Sequence, residues 1–310
     1  MNNLISLREW DPCLISEVIL LAKNIKENSQ AYSQKMVGRS LLMIFEKPSL
    51  RTRLSFEAGM TQMGGHAIYY HVGSSPMGSG KESISDSIKV ASRYVDIIMA
   101  RLFNHKDLVE MANYSSVPVI NALTDDSHPC QIMADLLTIT EKKGNLKNLK
   151  LSYFGDGFNN VTHSLMIGGT KMGMDVFVST PSDKKYLPRE DVIKDCIKYS
   201  KLSGGSITIT DNLEEAASDA DIIYTDSWMS YHIPKQDEKK RIGDLMPFQV
   251  NQKLLSLANS NVIFMNCLPA SRGYEQTSEV IDGNNSIVFD QAENRLHAQK
   301  AIMHKLLELK

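Results

Sequence analysis

The chain lacks a surplus of charge of either sign, and this sets the first limit on its function. Its 310 residues carry 34 Lys and Arg against 36 Asp and Glu, a formal net charge of −2 at pH 7. A protein that neutralises nucleic-acid phosphates needs a basic surplus, so the composition argues against a nucleic-acid partner. The basic clusters at 184–185 and 239–241 are short and are typical of solvated surface.

Cysteine and long apolar runs are also scarce. Four cysteines are scattered along the chain without metal-ligand spacing, a usage that fits a reducing cytoplasm without a disulfide framework. No apolar run reaches the length of a membrane span, and the N-terminus lacks the basic start and apolar core of a signal peptide. We therefore expect a cytoplasmic protein with no membrane partner, no metal and no organic cofactor.

What is present predicts an α/β protein of two doubly wound domains. The length suffices for two cores, and apolar runs alternate with helical patterns, which favours parallel sheets covered by helices on both faces. We place the first domain at 1–144 and the second at 145–294. The predicted strands are 40–45, 67–70, 97–101, 119–122, 150–154, 175–179, 206–210, 222–226, 262–266 and 286–289.

The segment Phe-Glu-Lys-Pro-Ser-Leu-Arg-Thr-Arg at 45–53 is the richest in chemistry. Two arginines, a lysine and two hydroxyls precede a helical pattern at 54–63. Helix N-termini present unpaired N–H groups and positive potential, and arginine forks bind oxyanions, so the segment predicts a site for a doubly charged anion. It lacks the glycines of a Walker A loop, which indicates a small phosphate compound. A solvated basic loop is the alternative.

Gly155-Asp156-Gly157 follows a predicted strand and raises the question of dinucleotide binding. The dinucleotide fingerprint requires a third glycine and an acidic residue at the end of the next strand. Here the third position is Asn160, and the next strand ends in Ser-Thr-Pro at 179–181. A dinucleotide site is therefore disfavoured, although the turn still places donors at the carboxyl edge of a sheet.

Three further motifs accompany segment 45–53. They are His-Pro-Cys-Gln at 128–131, Asn-Cys-Leu-Pro at 266–269 and Glu-Asn-Arg-Leu-His at 293–297. In this order and at these separations, the four segments resemble the aspartate/ornithine carbamoyltransferase family from about residue 4 to about residue 305. The cysteines Cys130 and Cys267 resemble its ornithine branch.

The resemblance implies transfer of a carbamoyl group from carbamoyl phosphate to the side-chain amine of L-ornithine, giving citrulline and phosphate in arginine biosynthesis or catabolism. It also implies an active site in the cleft between the domains, a C-terminal helix, 295–310, that completes the first domain, and a homotrimer or a multiple of trimers. No cofactor is implied.

The resemblance also assigns the carbamoyl phosphate contacts. His128 and Arg295 would donate to the carbonyl oxygen, Arg101 would reach both this oxygen and the phosphate, and Cys267 would keep the amine productive without a covalent intermediate. The catalytic residues are Arg101, His128, Gln131, Cys267 and Arg295. The binding residues are these five with Ser49, Leu50, Arg51, Thr52 and Leu268. Leu50 departs from the family's usual threonine.

For ornithine, the resemblance assigns Asn160 to the α-carboxylate, Asp226 to the α-ammonium, and Ser230 and Tyr231 to neighbouring contacts. Tyr231 and the histidine after it replace the family's Met-Gly, so another acceptor, such as putrescine or an N-acylated ornithine, stays open. A non-catalytic anion-binding relative is the alternative from a different class.

Two residues are assigned to a subunit contact. Lys81 would add positive charge from a neighbouring subunit, as in the family. Met77 stands where relatives often carry glutamine, which removes a donor from this contact.

Overall fold

The computed structural model describes residues 3–229 and 233–309. The chain forms two compact units, one of Met1–Leu137 with Glu293–Lys310 and the other of Thr138–Ala292. The boundary between Leu137 and Thr138 falls inside the helix Pro129–Lys143. The end of the first domain that we predicted from the sequence, residue 144, lies just after this helix. No helix in the described part of the chain is long and apolar enough to cross a membrane.

The first unit contains a four-stranded parallel sheet in the order β2-β1-β3-β4. Its strands are β1 (Ser40–Phe45), β2 (His66–His71), β3 (Ile97–Arg101) and β4 (Val119–Leu123). The helices that begin in it are α1 (Pro12–Glu27), α2 (Leu50–Gln62), α3 (Ile84–Ala91), α4 (His105–Tyr114) and α5 (Pro129–Lys143), and short 3₁₀ turns lie at Ser29–Tyr32 and Val72–Ser74.

The second unit contains a five-stranded parallel sheet in the order β7-β6-β5-β8-β9. Its strands are β5 (Lys150–Phe154), β6 (Asp175–Ser179), β7 (Ser206–Thr210), β8 (Ile222–Thr225) and β9 (Ile263–Asn266). The remaining helices are α6 (Asn160–Lys171), α7 (Glu190–Ser203), α8 (Leu213–Ala217), α9 (Glu238–Leu245), α10 (Gln252–Leu255), α11 (Ser278–Ile281) and α12 (Val288–Glu308), with 3₁₀ turns at Lys235–Asp237 and Met246–Phe248. The α/β fold with two parallel sheets is confirmed.

Central strands of both sheets are apolar and buried because helices cover both faces of a parallel sheet. All five residues of β3 are buried, as are all four of β8. Parallel strands present their carboxyl ends at one edge of the sheet, and α/β ligands bind at that edge. The loops after β1, β3, β5, β8 and β9 carry most of the residues to which the sequence assigns chemistry.

The predicted strand at 286–289 is wrong. Ser286 makes one isolated bridge to Phe264, and α12 begins at Val288, seven residues before the predicted start of the last helix. Val288 and Gln291 are buried, as are Asn294 and Arg295. This spacing continues the helical stripe of α12, whereas the short apolar run taken alone reads equally well as a strand.

Several helices also differ from the sequence prediction. α2 begins at Leu50 rather than at residue 54, so Arg51 and Thr52 lie in its first turn instead of in a loop. α4, α9 and the short α11 were not predicted, and α4 and α9 are polar helices with few fully buried side chains.

Candidate active site

The anion-binding segment is built as a capped helix N-terminus. Ser49 is the N-cap of α2, and its Oγ accepts from the Thr52 N–H at 3.2 Å. The same Oγ lies 3.1 Å from Thr52 Oγ1, which orients the threonine hydroxyl. Backbone N–H groups of a first helical turn have no partner within the helix, so this turn offers donors and positive potential to an anion.

Two buried arginines converge on Thr52 from different elements. Arg101, at the end of β3, places Nη1 3.4 Å from Thr52 Oγ1, and Arg295, on α12, places Nη2 at the same distance. Arg101 is 7% exposed and Arg295 3%. Two guanidinium groups held beside one helix N-terminus form a site for a doubly charged oxyanion.

Gln131 fixes the second arginine. Its Oε1 accepts from Arg295 Nη1 at 2.6 Å, and its Nε2 donates to Asp135 Oδ1 at 2.9 Å. The amide oxygen has two lone pairs, so it can accept from a substrate N–H as well. Ser49, Thr52, Arg101, Gln131 and Arg295 are thus joined by hydrogen bonds in one cluster.

His128 precedes the first residue of α5 and is buried beside the same arginines. Burial lowers its pKa well below the usual value, and the charges of Arg295, Arg101, Lys47 and Arg51 lower it further. The imidazole is therefore neutral at pH 7. A neutral imidazole keeps one N–H donor, as an oxyanion contact requires.

Lys47 lies in the anion-binding segment but was not among the assigned contacts. Its side chain is buried, with Nζ 4.3 Å from the centre of the Phe103 ring. Burial, followed by the charge of Arg101, lowers its pKa to about 8. Burial of a lysine cannot be read from a polar segment, which explains why the sequence did not point to it.

Three assigned residues lie apart from the hydrogen-bonded cluster. The Leu50 side chain is 69% exposed, so any anion contact there belongs to its backbone N–H. Met77 packs against an apolar cluster of the first unit. Lys81 is exposed.

Cys130, between His128 and Gln131, is a structural residue. Its thiol is buried and donates to the Asn121 carbonyl at 3.3 Å. Burial raises its pKa to about 12, so it carries no thiolate at neutral pH.

Two adjacent asparagines of the second unit have different surroundings. Asn159 is buried and is the N-cap of α6: it accepts from Thr162 N–H at 2.8 Å and donates to the Tyr153 hydroxyl at 3.0 Å. Asn160, the residue assigned to ornithine, opens α6 and is half-buried. The preceding turn requires Gly157, because a Cβ there would lie 2.5 Å from the Tyr186 carbonyl oxygen.

Asp226 and Cys267 meet at the ends of β8 and β9. The Cys267 Sγ lies 3.0 Å from Asp226 Oδ1, which also accepts from the Ser227 N–H at 2.7 Å. Leu268 has a φ of +56°, a left-handed conformation that is costly for a branched side chain and is concentrated at functional sites. Its N–H donates to Asn266 Oδ1 at 2.8 Å.

Ser230 and Tyr231, with His232, lie outside the described residues. Within residues 3–229 and 233–309, no group of three or more His, Cys, Asp or Glu side chains is placed to hold a metal ion.

The two units thus carry different chemistry. The first offers a cationic pocket with a neutral imidazole, suited to a phosphate compound with a carbonyl group. The second offers a carboxylate hydrogen-bonded to a thiol, suited to an amine.

Both parts of the chain are similar in sequence to domains of known proteins. Residues 2–141 match the model of the aspartate/ornithine carbamoyltransferase carbamoyl-P binding domain, and residues 147–306 match that of the Asp/Orn binding domain. An ornithine carbamoyltransferase of Pyrococcus abyssi is 48% identical over 308 residues, covering 99% of this chain and 96% of that protein.

Solved structures are similar over the same length. The structure of an ornithine carbamoyltransferase from Pyrococcus furiosus has a TM-score of 0.92 and 48% identity, covering 97% of this chain and 96% of that one. That of an N-acetyl-L-ornithine transcarbamylase has a TM-score of 0.89 and 30% identity, covering 99% and 100%. The chain belongs to the aspartate/ornithine carbamoyltransferase family.

Proposed function

We propose that this chain transfers the carbamoyl group of carbamoyl phosphate to the side-chain amine of L-ornithine, giving L-citrulline and inorganic phosphate in arginine metabolism. The observation that carries the proposal is the convergence of Arg101 and Arg295 on Thr52 beside a neutral His128. The identity to ornithine carbamoyltransferases over nearly the full chain supports the acceptor.

In the first unit, the N-terminus of α2 and the arginines hold the phosphate dianion. Arg101, His128 and Arg295 donate to the carbonyl oxygen, where negative charge grows as the amine attacks. Gln131 Oε1 accepts from the carbamoyl NH₂, and the carbonyl of Leu268, a residue of the second unit, is assigned to the same group. The C–N bond forms, the C–O bond to phosphate breaks, and phosphate leaves with the electron pair. The amine gives up one proton, which the departing phosphate takes up to become HPO₄²⁻.

In the second unit, Asp226 binds the α-ammonium of ornithine and Asn160 its α-carboxylate. The contact between Asp226 and the Cys267 thiol supports this assignment, because it places the carboxylate and a sulfur donor at adjacent strand ends. Cys267 keeps the attacking amine unprotonated and forms no covalent intermediate. Ser230 and Tyr231 complete this proposed set.

We also propose a homotrimer, or a multiple of trimers, in the cytoplasm. Exposed apolar side chains on α2 and on the edge strand β2 support association of copies; they are Leu50, Leu54, Ile68 and Tyr69. Lys81 then adds charge to a neighbouring site, and Met77 lies on the same loop. None of the cysteines at 13, 130, 196 and 267 forms a disulfide bond, as in a reducing compartment. Native mass measurement of the 34.7 kDa chain tests the trimer.

The activity is tested by incubating purified protein with carbamoyl phosphate and L-ornithine and measuring citrulline and phosphate together. The proposal expects the two products in equal amounts, and Arg101→Ala should abolish both. Phosphate release without citrulline would instead indicate hydrolysis, and absence of both would favour the non-catalytic anion-binding alternative.

A further inference from the structure

Two side chains from other loops, those of Glu275 and Arg241, form hydrogen bonds with the backbone N–H and carbonyl of Trp228. The Trp228 N–H donates to Glu275 Oε1 at 3.0 Å, and the Trp228 carbonyl accepts from Arg241 Nε. Trp228 is 1% exposed and lies two residues after Asp226. The strand end that presents Asp226 is therefore fixed by Arg241 and Glu275 through their contacts with Trp228.

Each of these side chains also binds a second loop. Glu275 Oε2 accepts from the Ser271 N–H at 2.8 Å, in the loop after β9 that carries the assigned cysteine. Arg241 Nη2 pairs with Asp156, in the turn that leads into Asn160. A continuous chain of contacts thus joins the loops after β5, β8 and β9.

Asp156, in the turn after β5, contacts both its own turn and Arg241. Asp156 Oδ1 accepts from the Phe158 N–H at 2.9 Å, while Oδ2 binds the arginine. The Asp156 side chain is 4% exposed and that of Arg241 13%, and Glu275 is 2% exposed. Such burial excludes water from the contacts and makes them resistant to salt.

We propose that Arg241 and Glu275 are positioning residues for the acceptor amine: together they set the separation of Asp226 from Asn160 on one side and from Cys267 on the other. This inference rests on the proposed function, which assigns the acceptor to those three residues. Errors of about 1 Å in the placement of reacting groups reduce rates by about 10²-fold, so loss of either buried contact with the Trp228 backbone is expected to impair the use of the acceptor.

The test uses conservative variants of each positioning residue. Glu275→Gln keeps the shape but has one accepting oxygen, so its NH₂ faces a backbone N–H at Trp228 or Ser271. Arg241→Lys keeps the charge but lacks the fork that reaches Trp228 and Asp156 at once. Arg272→Ala is the matched control, because it removes an exposed ion pair with Asp282 from the same loop as Glu275.

Kinetics give the first readout. Both positioning variants are expected to raise KM for ornithine about tenfold or more, with KM for carbamoyl phosphate within about twofold of the parent. Their effects should be non-additive in the double variant, because both act on Trp228. Arg272→Ala should leave both constants unchanged.

Fluorescence gives a readout besides activity. The chain has two tryptophans, and Trp10 lies in the first unit, where its Nε1 donates to the Asn3 carbonyl. A Trp10→Phe background makes Trp228 the single emitter. The positioning variants should shift its emission before ornithine is added, and ornithine should produce a smaller change than in the parent.

Equal increases in both KM values, or a lowered Tm with both KM values intact, would overturn the inference and leave these residues a purely structural role. A different outcome would show that the proposed function fails while the positioning role can still be tested. If the parent carbamoylates another amine rather than ornithine, the proposed acceptor is wrong, and the same KM comparison with that amine still decides the positioning role.

Discussion

The Sγ of Cys267 lies 3.0 Å from Oδ1 of Asp226, so a thiol and a carboxylate from two neighbouring strands of the second sheet form one hydrogen-bonded pair. The pair places Asp226, which we assign to the α-ammonium of ornithine, next to Cys267, which we assign to keeping the attacking amine unprotonated. Neither residue is close to the other in sequence, and their contact depends on the parallel register of β8 and β9.

Cys267→Ala is expected to raise KM for ornithine by a larger factor than KM for carbamoyl phosphate. The Cys267 thiol holds Asp226 Oδ1, so its removal lets this carboxylate move away from the α-ammonium position. A hydrogen bond to a charged group contributes about 1.5–3 kcal/mol, which limits the expected loss of ornithine affinity to about a hundredfold. Cys267→Ser keeps a hydrogen-bond donor, so its KM for ornithine should lie between those of the parent and Cys267→Ala. Steady-state kinetics with each substrate varied in turn measure the effect. A fall in carbamoyl phosphate affinity alone would contradict the assignment.

His128→Ala should reduce kcat by about 10²–10³, because it removes a donor to the developing oxyanion. Binding of inorganic phosphate, measured by calorimetry, should stay nearly intact, since the phosphate contacts come from the N-terminus of α2 and from the arginines. His128→Asn, which retains an N–H donor, is the control and should lose less. Equal losses of turnover and phosphate binding would show that His128 is structural.

Lys47 predicts a pH dependence of substrate binding. Because burial and Arg101 lower its pKa from 10.5 to about 8, the ammonium is charged below that pH and loses its charge above it. The phosphate binds the charged form better, so affinity is full below about pH 8 and falls as pH rises through it. KM for carbamoyl phosphate measured from about pH 7 to about pH 9.5 should rise.

Lys47→Arg is the matched variant, because arginine stays charged over this whole range. Its KM profile should be flat above pH 8. The same increase in both proteins would assign the titration to another group.

Substitution of the adjacent residues Asn159 and Asn160 should have different effects, the first on stability and the second on ornithine binding. Asn159→Ala removes the N-cap of α6 and the bond to Tyr153, and should lower the free energy of unfolding by about 1–2 kcal/mol. Asn160→Ala should leave stability nearly unchanged and raise KM for ornithine. Urea unfolding and steady-state kinetics on both variants test this; a reversed pattern would move the ornithine contact to Asn159.

Much of the fold could be predicted from local patterns. Apolar runs bounded by polar turns identified β1 and β3 with their observed limits, because buried parallel strands are continuously apolar. The run at 286–289 was read as a strand because periodicity over four residues cannot distinguish a strand from the first turn of a helix. Its helical state became visible only in the spacing of Val288 and Gln291 with the rest of α12.

The site was predictable where a motif places its residues next to each other, and less so where the fold assembles them. Ser49 and Thr52 share one helical turn, and their motif pointed to an anion. Lys47 was passed over because its burial beside Phe103 depends on the fold. Glu275 lies six residues after the Asn-Cys-Leu-Pro motif, but its hydrogen bonds to the N–H groups of Trp228 and Ser271 could not be read from the sequence.

The most direct measurement of the central claim is a competition among acceptors. Isotope-labelled carbamoyl phosphate is limiting in one reaction with equal concentrations of L-ornithine, N-acetyl-L-ornithine, putrescine and L-aspartate, and mass spectrometry gives the ratio of labelled products. Because that ratio equals the ratio of kcat/KM values, labelled citrulline should exceed every other product by about a hundredfold or more. A major product from any other amine, or no labelled product at all, would contradict the account.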